Sequence, residues 1–227
     1  MAPSPALTNV RFSVRNVQAA RAFLAAVAAL MITFTPDHGP VVGLAVFGGF
    51  AVATAIVFGI SAWLTYPAGR RWGAVLLAAI RLLPGLIAGP GGIRPETLFF
   101  GLVIVWAILS GITEFFWGLR DRRTASVPRS ESRDAMTVGV MSVVFGLAML
   151  LVRPEFALDY FIAEAGVSGT EFTLTGITIG VGLFGAYAAI VAVYLAIAAL
   201  SPRPAAPVDG ADVDASTNPR GVSEEMA

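Results

Sequence analysis

Two ionisable residues stand inside otherwise apolar runs and are the first candidates for chemistry: Arg81, in Ala78-Ala79-Ile80-Arg81-Leu82-Leu83, and Glu114, in Gly111-Ile112-Thr113-Glu114-Phe115-Phe116. A charged side chain in hydrocarbon costs about 2.5–3.5 kcal/mol on insertion scales, so such residues pair, line a polar path, or reach for the headgroups. Arg81 follows Arg71 by ten residues, and Glu114 precedes Arg120 by six. On helices these spacings place them about 15 Å and about 9 Å from one surface. Side chains lean toward their own helix N-terminus, so on antiparallel neighbours Arg81 and Glu114 lean toward one another in depth. An intramembrane ion pair is expected. Its plain reading is a packing clamp; its functional reading is a polar site.

Pro84-Gly85 follows Arg81 by about one turn, and proline removes a helix hydrogen bond. A bend in that helix is expected, either as ordinary membrane-helix geometry or as the wall of a cavity. His38, the single histidine, stands beside Asp37 in a turn. Histidine ordinarily titrates near neutrality, so this pair is a weak candidate for sensing outer pH, with an inert turn as the plain alternative.

Other chemistry is excluded by composition. Cysteine is absent and all 15 basic residues are arginine. No disulfide, thiolate metal site, Schiff-base lysine or phosphate-loop lysine can therefore form. No His-Glu-x-x-His pattern occurs, and Gly180-Val181-Gly182 falls in an apolar run rather than after a strand. No catalytic residue, cofactor or metal site is assigned, an enzyme is not expected, and nothing points to nucleic acid as a partner.

The elements that would position Arg81 and Glu114 follow from hydropathy. The chain is 56% hydrophobic and 13% charged over 227 residues, against about 25% charged in soluble domains. A membrane helix needs about 20 mainly apolar residues. Six stretches qualify: 16–34, 41–64, 72–88, 97–119, 134–152 and 173–200. Pro36, Gly39 and Pro40, then Pro67 and Gly69, then Gly89-Pro90-Gly91-Gly92, then Arg153-Pro154 punctuate them. The first stretch lacks a small-x-small cleavage site, so an uncleaved helix is expected rather than a secretory signal.

Arginine placement gives orientation. Arg11, Arg15, Arg21, Arg70, Arg71, Arg120, Arg122, Arg123, Arg129, Arg133, Arg203 and Arg220 fall on one side; Arg94 and Arg153 fall on the other. Positive residues are retained in the cytoplasm, so both termini are expected on the cytoplasmic side. The basic 120–133 loop reads first as this topology signal and second as a contact for anionic headgroups.

The expected fold is an all-α integral membrane protein whose six transmembrane helices form three tandem helical hairpins, 16–64, 72–119 and 134–200. A cytoplasmic segment, 1–15, precedes them. A proline-rich tail, 201–227, is expected to be disordered. The long 153–172 connection is read as containing a short interfacial helix around Phe156–Ile162. Gly176, Gly180, Gly182 and Gly185 on the sixth helix are read as sites of close helix packing, with self-association through glycine-bearing helices as a weaker reading. The lipid bilayer is the expected partner.

Ala107-Ile108-Leu109-Ser110-Gly111-Ile112, running to Gly118-Leu119-Arg120 and Arg122-Arg123, resembles the repeat unit of the HdeD-like bacterial membrane proteins. The resemblance covers about residues 16–200 and is best in the second hairpin. It implies a six-span inner-membrane protein linked to acid or membrane stress, with no catalytic residues to carry over. The 153–172 loop and the acidic tail depart from that pattern. A small transporter or channel with a polar site at Arg81 and Glu114, and a membrane-embedded enzyme acting on lipids, are the alternatives.

Overall fold

Proline and glycine set most of the helix ends. A computed structural model describes residues 13–89, 94–124, 127–162 and 170–201. Helix α1 (Val14–Phe34) ends before Pro36, and α2 (Pro40–Leu64) begins with Pro40 in its first turn, where a missing amide proton costs nothing. A single 3-10 turn, Ala68–Arg70, leads into α3 (Arg71–Ala88). Helix α4 (Glu96–Arg122) carries Glu96 in its first turn and Arg120 and Arg122 in its last, both matched to the helix dipole. Helix α5 (Arg129–Leu151) follows Pro128, and α6 (Gly176–Leu200) is capped by Thr175, whose side chain accepts from the Thr178 amide.

All six are long and apolar enough to cross a membrane. Their outward faces agree: Phe34, Leu83, Leu86, Val144, Leu151, Val193 and Ile197 are exposed. Such a continuous apolar exterior is untenable in water and is what hydrocarbon requires. The chain is a multi-pass membrane protein.

The helices close into a ring. Each packs on its neighbours in sequence, and α1 packs on α6. The closest interfaces are α2 with α3, α4 with α5, and α1 with α6, so the most extensive packing runs between the expected hairpins rather than within them. Small residues explain this. A Cβ on Gly111 would lie 2.7 Å from the Gly139 carbonyl oxygen, and a Cβ on Gly139 would lie 2.7 Å from that of Gly111. Gly48 and Gly85 bring α2 and α3 together in the same way, while α1 meets α6 through a stripe of Ala22, Ala25, Ala28 and Ala29. Small residues let backbones approach closely enough for extended van der Waals contact, the main adhesive between helices in lipid.

Inside the ring lies an aromatic core. Trp106 meets Phe47, Phe50, Phe184 and Tyr187 edge-on at 5.4–6.5 Å, and Phe145 stacks on Tyr187 at 4.5 Å. The Tyr187 hydroxyl lies 2.7 Å from Ser142 Oγ, which itself donates to the Val138 carbonyl.

Three expectations are corrected. The expected interfacial helix around 156–162 is a strand; Ala157–Ile162 and Thr170–Thr175 form an antiparallel pair, β1 and β2, in register Ala157 with Thr175 and Ile162 with Thr170. Phe172-Thr173-Leu174-Thr175 alternates large apolar residues with β-branched threonines, a strand pattern, and Thr173 Oγ1 donates to Asp159 Oδ1 across the pair at 2.6 Å. Helix α6 therefore starts at Gly176 rather than 173. Arg21 belongs to the interior and not to the arginine-rich surface, as described below. The expected tail, 201–227, lies outside the described residues apart from Ser201, as does most of the segment 1–15.

Candidate functional site: a buried charge cluster

The expected pair forms. Arg81 Nη2 donates to Glu114 Oε2 at 3.2 Å, and the two residues are 2% and 1% exposed. Burial this deep leaves each charge dependent on its protein partners. Glu114 sits on the inward stripe of α4, with Ala107, Ser110, Gly111, Trp117 and Gly118. Arg81 shares the inward face of α3 with Leu77, Gly85 and Ala88.

A third charge joins them. Arg21 Nη1 lies 2.6 Å from the other carboxylate oxygen, Glu114 Oε1. One carboxylate is thus shared between guanidinium groups of α1 and α3. Both guanidiniums also lie over the Phe58 ring of α2, each 4.7 Å from its centroid. Cation–π attraction at a desolvated site is worth about 2 kcal/mol or more, and it offsets part of the excess positive charge.

The compensation continues toward the arginine-rich end of the bundle. Gln18, one turn before Arg21, donates through Nε2 to Asp134 Oδ2 at 3.0 Å, and Tyr194 donates its hydroxyl to Asp134 Oδ1 at 3.1 Å. Arg21, Arg81, Glu114 and Asp134 sum to zero formal charge, and Gln18, Arg21, Arg81, Glu114 and Asp134 are all buried. The cluster links α1, α3, α4, α5 and α6, with α2 contributing the Phe58 ring. At the same end, Arg15 Nε donates to the Ala199 carbonyl at 2.7 Å, tying α1 to the last turn of α6.

A cavity of about 40 Å³ adjoins the cluster, walled by Gln18, Arg21, Phe58, Glu114, Trp117 and Asp134 among others. Since one water needs about 10–15 Å³ on this measure, it has room for a few waters and no larger solute. Arg81 Nε and Nη1 and Gln18 Oε1 are buried with no protein hydrogen-bond partner, and polar groups of this kind are what internal water satisfies.

The remaining sequence candidates do not join this site. Pro84 lies inside α3, which continues unbroken from Arg71 to Ala88. Gly85 serves close packing: a Cβ there would lie 3.0 Å from the Val52 amide nitrogen. Asp37 is exposed and uses Oδ1 to accept from the Gly39 amide at 2.7 Å, which shapes the turn into α2. Among the described residues, His38 forms no ion pair with an acidic side chain. Of the α6 glycines, Gly180 packs on the Phe100 ring and Gly185 on Ile32, while Gly182 meets nothing within 4 Å.

Comparison of the chain with protein-family models, with curated proteins and with solved structures gives no match.

Proposed function

We propose that this multi-pass protein is a non-catalytic resident of the bacterial cytoplasmic membrane, structural and stress-related in the manner of the HdeD-like proteins. Both termini face the cytoplasm. With Arg21 moved to the interior, eleven arginines still fall at the end that holds the termini, against Arg94 and Arg153 at the other, and that imbalance supports the orientation. The stress reading is supported by the resemblance of 107–123 to the HdeD-like repeat.

The observation that carries the structural reading is the sharing of Glu114 between Arg21 and Arg81 inside a nearly filled core. Every acid in the cluster is held by donors on other helices, and the adjoining space of about 40 Å³ is too small for a sugar, amino acid or acyl chain. The arrangement fastens helices together; it offers no acid free to transfer a proton to a substrate. Growth of a deletion strain across external pH and membrane-perturbing conditions tests the proposal. A defect restored by the wild-type chain and by a fully folded variant of an exposed residue, but not by Glu114→Gln, supports it. Wild-type growth of the deletion strain under every condition overturns it. An alkaline phosphatase reporter fused after Ser201 should stay inactive, and activity there refutes the orientation.

One observation favours a second reading, transport of a small solute through a polar path. Gln18, which lines the cavity, leaves its Oε1 without a protein hydrogen-bond partner, and Arg81 Nε and Nη1 of the same charge cluster also lack one. Proteoliposome flux of water, protons or small anions, lost in Glu114→Gln while the fold persists, would move the assignment to transport.

A further inference from the structure

A second feature lies on the outside of the bundle, at the arginine-rich ends of α4 and α5. The first turns of α5 are sided by charge. Glu131 and Asp134 face inward and help wall the small interior cavity. Arg129 and Arg133 face outward, one turn apart, and with Arg122 of α4 they line an open cleft of about 510 Å³. All three arginines are exposed, and no hydrogen bond or ion pair joins their guanidiniums to another of the described residues. Ser130 and Thr137 add hydroxyls to the same wall, and Phe115, Met136 and Val140 form its apolar floor.

The cleft does not end at the charges. Phe115 and Val140 also line an apolar groove of about 240 Å³ bounded by Ile112, Phe116, Val143 and Val144. Its walls carry no exposed polar surface. The groove exists because Gly111, Gly118, Gly139 and Gly146 pull α4 and α5 into backbone contact. From Arg133 to Val144 the helix rises about 16 Å, close to half the thickness of a bilayer core of about 30 Å.

We infer that this cleft binds an anionic phospholipid, with its phosphate held by Arg122, Arg129 and Arg133 and one acyl chain lying in the groove between α4 and α5. Charge decides the headgroup: three unpaired guanidiniums beside hydroxyl donors match a phosphate monoanion and leave no acid to receive a choline or ethanolamine cation in the cleft lining. The groove decides between a lipid and a free phosphate, because a soluble anion would leave the apolar continuation unused. The inference stands apart from the stress reading above, since it depends only on the outer face of two helices.

The test uses the full chain in mild detergent, exposed to phosphatidylcholine vesicles with and without phosphatidylglycerol, with retained lipid counted by native mass spectrometry. Phosphatidylglycerol should be retained and phosphatidylcholine should wash away. Each basic residue near a membrane surface contributes about fivefold in affinity, so Arg129→Gln with Arg133→Gln should lower retention about 25-fold. Arg123→Gln, on the same loop but outside the cleft, should leave it unchanged. Val140→Trp keeps all three arginines and fills the groove; it should also release the lipid. Equal losses for Arg123→Gln and the double variant would reduce the effect to a general field and overturn the site. Displacement by inorganic phosphate at the potency of the lipid, or full retention by Val140→Trp, would overturn the lipid assignment. Circular dichroism monitors folding, and Val140→Trp decides the matter should the arginine variants misfold.

Discussion

Arg21 Nη1 lies 2.6 Å from Glu114 Oε1, so the first helix of the bundle is ionically fixed to the fourth. With Arg81 on the second oxygen, Glu114 is the hub of a three-charge group in which the cations outnumber the anion. This asymmetry makes single substitutions of the anion and of one cation unequal. Glu114→Gln strands two guanidiniums, whereas Arg81→Met leaves the Arg21 pair intact. Glu114→Gln should therefore destabilise by about 3–5 kcal/mol, the scale for an uncompensated buried charge, and Arg81→Met by distinctly less. Thermal unfolding in detergent measures both. Equal losses would show that Arg21 does not share the carboxylate.

Asp134 supplies a second anchor. It accepts from Gln18 on α1 and from Tyr194 on α6. Asp134→Leu leaves the buried Gln18 amide without its acceptor, at about 1–3 kcal/mol, and takes one acceptor from the half-buried Tyr194 hydroxyl. Asp134→Leu combined with Gln18→Leu and Tyr194→Phe should recover much of the loss. Melting temperatures that fall additively across the three changes would count against the network.

The α4–α5 seam leaves no room for a side chain at Gly111 or Gly139. Gly139→Ala would place a Cβ 2.7 Å from the Gly111 carbonyl oxygen, and forcing the helices apart should cost about 1–3 kcal/mol. Gly49→Ala and Gly101→Ala, which meet nothing within 4 Å, should be neutral or slightly stabilising. Detergent stability of the three variants separates the two classes, and a neutral Gly139→Ala would refute the close approach.

Ring closure can be tested by cross-linking, because the chain has no cysteine of its own. A Cβ at position 185 would lie 3.2 Å from Ile32 Cβ, a few tenths of an ångström short of the separation of about 3.5–4.5 Å that disulfides take. Ile32→Cys with Gly185→Cys should form an intramolecular bond on mild oxidation. Ile32→Cys with Gly182→Cys should not. Cross-linking by the second pair alone would place another face of α6 against α1.

The helices and their ends were readable from apolar run length and from Pro36, Pro40, Pro67 and Pro154, because hydrocarbon thickness and proline chemistry act locally. The Arg81–Glu114 pair was readable because both charges lie deep within their runs. Arg21 was not, since an arginine near the start of a first span looks like a topology signal. The clue was its place on the stripe Gln18, Arg21, Ala22, Ala25, Ala28, Ala29, which repeats at helical spacing on the buried face. Asp134 hid in the same way, at the edge of a span yet in line with Val138, Ser142, Phe145 and Met149. The β1–β2 pair is not legible in Phe156–Ile162 alone; the strand signal lies in the alternation of Phe172 and Leu174 with threonines. Which helices pack most closely depends on distant glycines meeting across an interface, and no local pattern reports that.

The seam between α1 and α6 has a temporal meaning. During synthesis the first helix leaves the ribosome carrying Gln18 and Arg21, while Glu114, Asp134 and Tyr194 have yet to be made. Its polar face must wait in the translocon, in the interface or beside a chaperoning helix until almost the whole polypeptide has been inserted. Assembly of this bundle is thus a late, concerted event. A nascent chain halted before α6 emerges should remain open to proteolysis along its first helix, and the finished chain should not.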